Sequence, residues 1–388
     1  MLSSEHEKKR LRTLNSELRT NDMKARGRFD FILLFVALAL VGIGIVMVYS
    51  TSAIIAGDRF GDPYYFLKRQ ALYAGIGFVL MILMMFFPYE MLKRFAYPIF
   101  ILSVLLLIAV LIPGIGHRAG GAMRWLKING FSFQPSEFAK LGLIIFLSYF
   151  LTKKEGKIRS FSFSFLPTIL LSGLVIGLVV KEPDFGAALF LTVMVFLLLF
   201  ISGARVIYIA SAFLLATPVV YYLMMNAEYR LKRLMSFIRP WENSTGASFQ
   251  IIQSFLSFGS GGLFGLGLGE GRQKLFFLPA PHTDFIFSII GEELGLVGAM
   301  LVILLFFILT LRGVLIGLSI QDRFGAYLAL GITLIISLQA VINMGVVLGL
   351  LPTKGLPLPF VSYGGTSLIA NLIGLGILLR LSTHAERR

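Results

Sequence analysis

The chain has 388 residues, of which 57% are hydrophobic and 14% charged, a balance that excludes water-soluble packing, where charged residues run at about a quarter. Its mean hydropathy of +0.85 and stretches such as FILLFVALALVGIGIVMVYS predict several segments, each able to cross a hydrocarbon layer roughly 30 Å thick. The net charge of +15 would suggest nucleic acid in a soluble protein, the absence of cysteine excludes disulfides and thiolate chemistry, and His6, His117, His282 and His384 show no metal-ligand spacing.

Residues 1–27 form a basic tail with no apolar segment and cleavage site behind it, so it reads as a flexible, retained extension. Apolar runs follow at about 31–51, 71–88, 96–113, 138–152, 163–180, 186–203, 206–226, 285–311, 325–350 and 358–381. The fold expected is an all-α polytopic membrane protein with about ten transmembrane helices. One membrane domain covers 28–381, and a short tail covers 382–388. An even number of spans puts both termini on one side, and the larger share of the 35 Lys and Arg falls on the termini and on the loops after even-numbered spans. By the positive-inside rule both termini are cytoplasmic, most of the +15 is a topology signal, and nucleic acid is not called for.

Two outward segments exceed simple connectors, 114–137 and the long extracytoplasmic loop 227–284 between helices 7 and 8. In YRLKRLMSFIRPW, Leu231, Leu234, Met235 and Ile238 follow a helical period with Arg230, Lys232, Arg233 and Arg239 around them. The pattern fits an amphipathic helix, either lying in the membrane interface or packed on the protein. The glycine-broken FQIIQSFLSFGSGGLFGLGLGEG reads as interfacial or re-entrant, and without a flanking βαβ unit it is not a dinucleotide loop.

Ionisable residues at membrane boundaries are functional candidates by default. Asp284, in LPAPHTDFIF, stands before span 8, where it is either a helix cap or a general base among loop cations. Trp125 beside Arg124 and Lys127 is an interface anchor or a sugar-stacking face, and Glu137 pairs with Lys140 or belongs to the site. Lys181, Glu182 and Asp184 read as a local salt-bridge cap, and Lys354 in the proline-rich turn LLPTKGLPLPF is placed to bind an anion. Nothing supports a Ser-His-Asp triad, a P-loop or paired glycosidase carboxylates. One carboxylate among many cations suits a polyanionic lipid substrate.

Five separated motifs carry a resemblance: RW with QPSEFAKL at 124–141, KEPDFGAAL at 181–189, QIIQS with GSGGLFGLGLGEG at 250–271, LPAPHTDFIFSIIGEELG at 278–295 and LPTKGLPLPFVSYGGTSL at 351–368. Together they resemble the shape, elongation, division and sporulation family of cell-wall polymerases, the FtsW, RodA and SpoVE type. The resemblance implies a peptidoglycan glycosyltransferase that polymerises lipid II into β-1,4 strands at the outer face of the bacterial cytoplasmic membrane, with a division septum among its expected locations. It implies Asp284 as the catalytic base, acting on the sugar hydroxyl that attacks an α-linked donor with inversion. Arg69, Arg124, Lys140 and Lys354 match family positions expected to steady the departing undecaprenyl pyrophosphate. Trp125, Gln134, Glu137, Asp184 and Gln253 match as substrate-binding positions.

The resemblance names no certain cofactor, and a divalent cation such as Mg2+ stays an open expectation. Its partners are lipid II, a class B penicillin-binding protein engaged through its transmembrane helix, and other division or sporulation proteins. Ala280-Pro281 departs from the family's LPEAHTDF form, and Thr353-Lys354-Gly355 lies closer to the division and sporulation branch. The competing readings are a lipid II flippase, for which Glu292 and Glu293 are the intramembrane charges, and a non-catalytic scaffold for a transpeptidase.

Overall fold

A computed structural model describes residues 28–119, 122–128, 131–226, 228–242, 246–274 and 281–385. The basic tail 1–27 and the Leu278–Ala280 part of the LPAPHTDF segment lie outside the described residues. The helices are α1 (Phe31–Phe60), α2 (Tyr65–Phe86), α3 (Tyr89–Arg94), α4 (Ala96–Leu111), α5 (Pro135–Lys153), α6 (Leu166–Lys181), α7 (Phe185–Ile201) and α8 (Val206–Met225). After them come α9 (Glu228–Ile238), α10 (Ala247–Gly261), α11 (Ile286–Ser319), α12 (Arg323–Val347) and α13 (Gly365–Ser382). Among the described residues, α1, α2, α6 with its preceding π turn, α11, α12 and α13 are long and apolar enough to cross a membrane, and α4, α7 and α8 are shorter apolar helices. The tenth is α5, which Pro135 opens and whose hydropathy is lowered by Glu137 and Lys140. Those two charges stand one turn apart and pair at 2.8 Å, which makes their burial tolerable.

Contacts sort the connections to two ends. At one end Asp30 caps α1 by accepting from the Leu33 N–H at 3.0 Å, its own N–H donates to Ser382 Oγ at 3.1 Å, and Arg312 pairs with its carboxylate. Tyr89 packs there against Phe324 and His384, and Arg323 pairs with Glu155 at 3.0 Å. The beginning of α1 and the end of α13 therefore share this end, as the even span count requires. The other end collects the connections after α1, α4, α6, α8 and α12.

Several boundaries differ from the hydropathy reading. Helix α1 continues nine residues past the apolar run to Phe60, because a helix need not stop where the hydrocarbon does, and ends on Gly61 at φ +69°. The last apolar run, read from 358, becomes helical only at Gly365, since Pro357 and Pro359 hold 352–364 as a buried turn. The 114–137 segment, read as a loop, carries a three-stranded antiparallel sheet: β1 (Gly116–Ala119), β2 (Ala122–Ile128) and β3 (Phe131–Phe133), with β2 in the centre.

The glycine-rich stretch after α10 has a specific use. Helix α11 is broken at Gly295 (φ 68°, ψ −165°), and there Leu266 and Gly267 donate to the Glu292 and Glu293 carbonyls at 3.0 Å. In return Leu296 and Val297 donate to Gly262 and Leu263 at 2.9 and 3.1 Å. Backbone polar groups exposed by the break are thus paired inside protein, the condition for irregular chain at membrane depth. A Cβ on Gly265 would lie 2.1 Å from the Glu293 carbonyl oxygen, so these glycines permit chain contact rather than phosphate binding.

Candidate active site

Asp284 lies immediately ahead of α11, but Phe285 occupies the N-cap position, and the Asp284 carboxylate receives no hydrogen bond from a described residue. Its backbone is held instead. The carbonyls of His282, Thr283 and Asp284 accept from the Tyr363 N–H at 2.9 Å, Ser362 Oγ at 2.6 Å and Asn343 Nδ2 at 2.9 Å. Asn343 Nδ2 also donates to the Leu356 carbonyl at 2.7 Å, so α12 fixes the turn 352–364 and the Asp284 segment against each other. Burial pushes the Asp284 carboxyl up to about 6; Arg233 and then Arg124 pull it back, and Asp184 raises it further. A rigid backbone carrying an unbonded, partly covered carboxylate is suited to taking a proton.

This carboxylate lines the first of two adjoining cavities. The first, of about 470 Å³, brings together Arg69, Arg124, Trp125, Gln134 and Asp284 of the residues singled out from the sequence. The second, of about 480 Å³, holds Arg124, Asp184 and Lys354, with Phe185, Leu189 and Met224 supplying apolar wall. Arg124 and Gly355 border both. Arg124, on β2, is aimed by two contacts: Nη2 donates to the Pro183 carbonyl at 2.8 Å and Nη1 lies 3.4 Å from Asp184 Oδ2. Asp184 is itself committed, since Oδ1 caps α7 by accepting from the Ala187 N–H at 3.0 Å. Lys354 is buried enough that its ammonium is easier to deprotonate than usual. Arg69 stacks on Tyr65 with 4.6 Å to the ring centroid and reaches the first cavity, which Tyr363 also lines, from α2.

Three sequence-selected residues stand away from both cavities. Glu137 and Lys140 pair inside the bundle, and Lys140 Nζ donates to Gln339 Oε1 at 3.0 Å while Gln339 Nε2 donates to the Pro357 carbonyl at 2.8 Å. The pair braces the turn beneath Asp284. Gln253 is buried in α10 and lines neither cavity.

The structure adds residues that sequence reasoning assigned elsewhere. Arg230 and Arg233, read only as the basic face of an amphipathic helix, line the second cavity from α9, and Arg230 also lies 4.9 Å from the Phe185 ring centroid. Helix α9 has no buried residue, which agrees with an interfacial setting, and yet its cations turn toward the site. Glu182, expected in a salt-bridge cap with Lys181, is fully buried with neither carboxyl oxygen bonded to a described residue, and Lys181 is exposed. Burial and then Asp184 push the Glu182 carboxyl up to about 8, so it is neutral at pH 7. The ion pair that does form here is Arg124 with Asp184.

Comparison with known proteins gives the same arrangement a context. The cell cycle protein family FtsW/RodA/SpoVE matches residues 31–387. The chain is 48% identical to the probable peptidoglycan glycosyltransferase FtsW of Geobacter metallireducens, covering 94% of this chain and 97% of the relative. It is 42% identical to stage V sporulation protein E of Bacillus subtilis, covering 92% and 97%. Among solved structures it resembles the rod shape determining protein RodA of Thermus thermophilus, with 30% identity, TM-score 0.69 and coverage of 93% and 98%. A second match has TM-score 0.74 and 32% identity over 91% of this chain and 97% of the other. That structure is described as showing structural coordination of polymerization and crosslinking by a peptidoglycan synthase complex.

Proposed function

The chain belongs to the FtsW/RodA/SpoVE family, and from that premise we propose that it is a peptidoglycan glycosyltransferase of cell division or sporulation, joining lipid II units at the outward end of its helical bundle. The observation that carries the reading is the Asp284 carboxylate, bonded by no described residue, in one of two large, cation-lined cavities that share Arg124 and Gly355. A polymerase must hold two bulky substrates at once and bring one hydroxyl to one anomeric carbon. Asp284 takes the proton of the acceptor's sugar 4-hydroxyl, the oxygen attacks the anomeric carbon of the donor, and the bond to the diphosphate breaks with inversion. Arg124, Arg230, Arg233 and Lys354 supply positive charge where the lipid diphosphate gathers negative charge, and Arg69, Trp125 and Gln134 serve the sugar side.

A divalent cation such as Mg2+ would enter this reading as an ion carried by the substrate's diphosphate. The carboxylates that would suit a transporter are tied into structure. Glu293 is paired with Lys274, and Ser50 Oγ donates to it at 2.6 Å, while Glu292 accepts from the Arg272 and Gln273 N–H groups at 2.7 and 3.1 Å. The working partner of the reading is a class B transpeptidase held through its single membrane helix, at the septum of dividing or sporulating cells.

The test is polymerisation of labelled lipid II by the purified chain with its transpeptidase partner, the products resolved on a gel. Asp284→Ala is expected to lower the rate by about 10²–10⁴ while the protein stays folded. A folded Asp284→Ala protein that polymerises at the wild-type rate overturns the assignment.

A further inference from the structure

The end of the bundle opposite Asp284 carries a cavity of about 450 Å³ bordered by Arg28, Asp30, Phe31, Ile32, Arg312 and Leu318. We propose that it is a second lipid site, binding the phosphoethanolamine headgroup of a phospholipid in the leaflet at the basic end, which the charge bias of the loops makes the cytoplasmic one.

The arginine is presented, not merely present. Nε of Arg312 donates to Asp30 Oδ2 at 2.8 Å and Nη2 contacts the same oxygen, while Asp30 Oδ1 is taken by the Leu33 N–H. Asp30 is 7% exposed and fully occupied; the Arg312 side chain is 36% exposed. Of five guanidinium N–H donors two are used, so three remain for an anion entering the cavity. Arg28 is exposed and makes no ion pair among the described residues, which gives the anion a second fork and leaves the cavity one net positive charge.

A phosphate alone does not match the whole rim. The last turn of α11, Ile316–Ser319, also borders the cavity, and helix-terminal carbonyls lack intrahelical donors and carry partial negative charge. They disfavour a bare anion and favour an ammonium group close beside it. A headgroup with both charges satisfies the guanidinium and carbonyl sides together. Below the rim the wall turns apolar and lipid-facing: Phe31 is 65% exposed and Leu318 68%. Acyl chains of the same molecule would cover these side chains, so head and tail are matched in the order a bilayer presents them. Basic pockets between transmembrane helices at this membrane side are known headgroup sites in general.

The experiment uses the full chain in detergent, with native mass spectrometry to count retained lipid and thermal unfolding to rank ligands. Phosphatidylethanolamine is expected to be retained as one molecule per chain and to raise the unfolding midpoint more than phosphatidylglycerol, diacylglycerol or inorganic phosphate. Arg28→Gln, which leaves the Asp30–Arg312 pair intact, should weaken that binding at least about five-fold. Equal shifts from diacylglycerol, from free phosphate or from phosphatidylglycerol overturn the proposal, as does an Arg28→Gln chain that retains phosphatidylethanolamine like wild type.

Discussion

Asp284 and Glu182 both hold protons more tightly than ordinary carboxylates, with different consequences. Asp284, pushed up to about 6, works as a base only when ionised, so polymerisation should rise as pH increases through about 6 and level off above about 7. Initial rates between pH 5 and 8 check this, and a rate that falls as pH rises through 6 contradicts it. Glu182 has no bonded partner to lose among the described residues and is neutral at pH 7, so Glu182→Gln keeps its shape and charge. Folded Glu182 binds a proton that the unfolded chain has released between the usual carboxylate value and about 8, so stability falls as pH rises across that window. The expected outcome is that Glu182→Gln flattens the dependence of the unfolding midpoint between pH 5 and 8 and leaves activity near neutral pH within about two-fold. At this scale the sequence showed which acids stood at membrane boundaries. It did not show which were bonded: Asp184 and Glu182 are two residues apart, yet Asp184 caps α7 and pairs with Arg124 while Glu182 is buried with no bonded partner among the described residues.

On α5, Glu137 and Lys140 form a buried ion pair whose members are costly when separated. Lys140→Met should destabilise the protein by about 3–5 kcal/mol by stranding the carboxylate, while Glu137→Leu with Lys140→Met should recover most of that loss. Thermal unfolding of the two single variants and the double variant measures the coupling. The double variant still loses the Lys140–Gln339 bond, so its polymerisation rate reports how far that bond holds the turn under Asp284. A different element, the stretch that mends the break in α11, depends on Gly265 at φ +82° with the Glu293 carbonyl 2.1 Å from its missing Cβ. Gly265→Ala should lower the unfolding midpoint markedly, costing about 2 kcal/mol or more, whereas Gly259→Ala, where a Cβ meets nothing within 4 Å, should be nearly silent. The ten spans were legible because each must hide its own backbone in hydrocarbon, which forces a long apolar run. The small sheet was not. Its strands are three to seven residues long, and the available signal was Asn129-Gly130 between the apolar-alternating AMRWLKI and FSF. The break in α11 was equally hidden, since the sequence shows glycines in both segments but not that they face each other.

The site exists only where the whole molecule brings its outward connections together. The first cavity takes Arg69 from α2, Trp125 from the small sheet, Asp284 from the entry to α11 and Tyr363 from the turn before α13; the second takes Asp184 from the start of α7 and Arg233 from α9. No one segment shows this convergence, and Arg230 and Arg233 were read as the basic face of an amphipathic helix because such a helix looks the same whether its charges face lipid or substrate. Gly355 borders both cavities, and an added Cβ there would lie 3.3 Å from Asp284 Oδ2. That spacing makes the neighbour yield by a few tenths of an ångström. The neighbour is the carboxylate assigned to the proton transfer; Asn343 holds the Asp284 carbonyl and Ser362 the Thr283 carbonyl, so the shift falls on the carboxylate itself. Misplacing a catalytic group by about 1 Å can cost roughly 10²-fold, so Gly355→Ala should lower the turnover rate about ten-fold through the smaller displacement. The cations of the two cavities are untouched by the change, so lipid II affinity should stay within about three-fold of wild type. Gly355→Val, which crowds the carboxylate further, should nearly abolish chain growth while each cavity still binds its own lipid. Separate measurements of lipid II binding and of glycan length on the same preparations decide it: affinity and turnover falling together would mean that Gly355 lies within a substrate footprint rather than at the point where two cavities join.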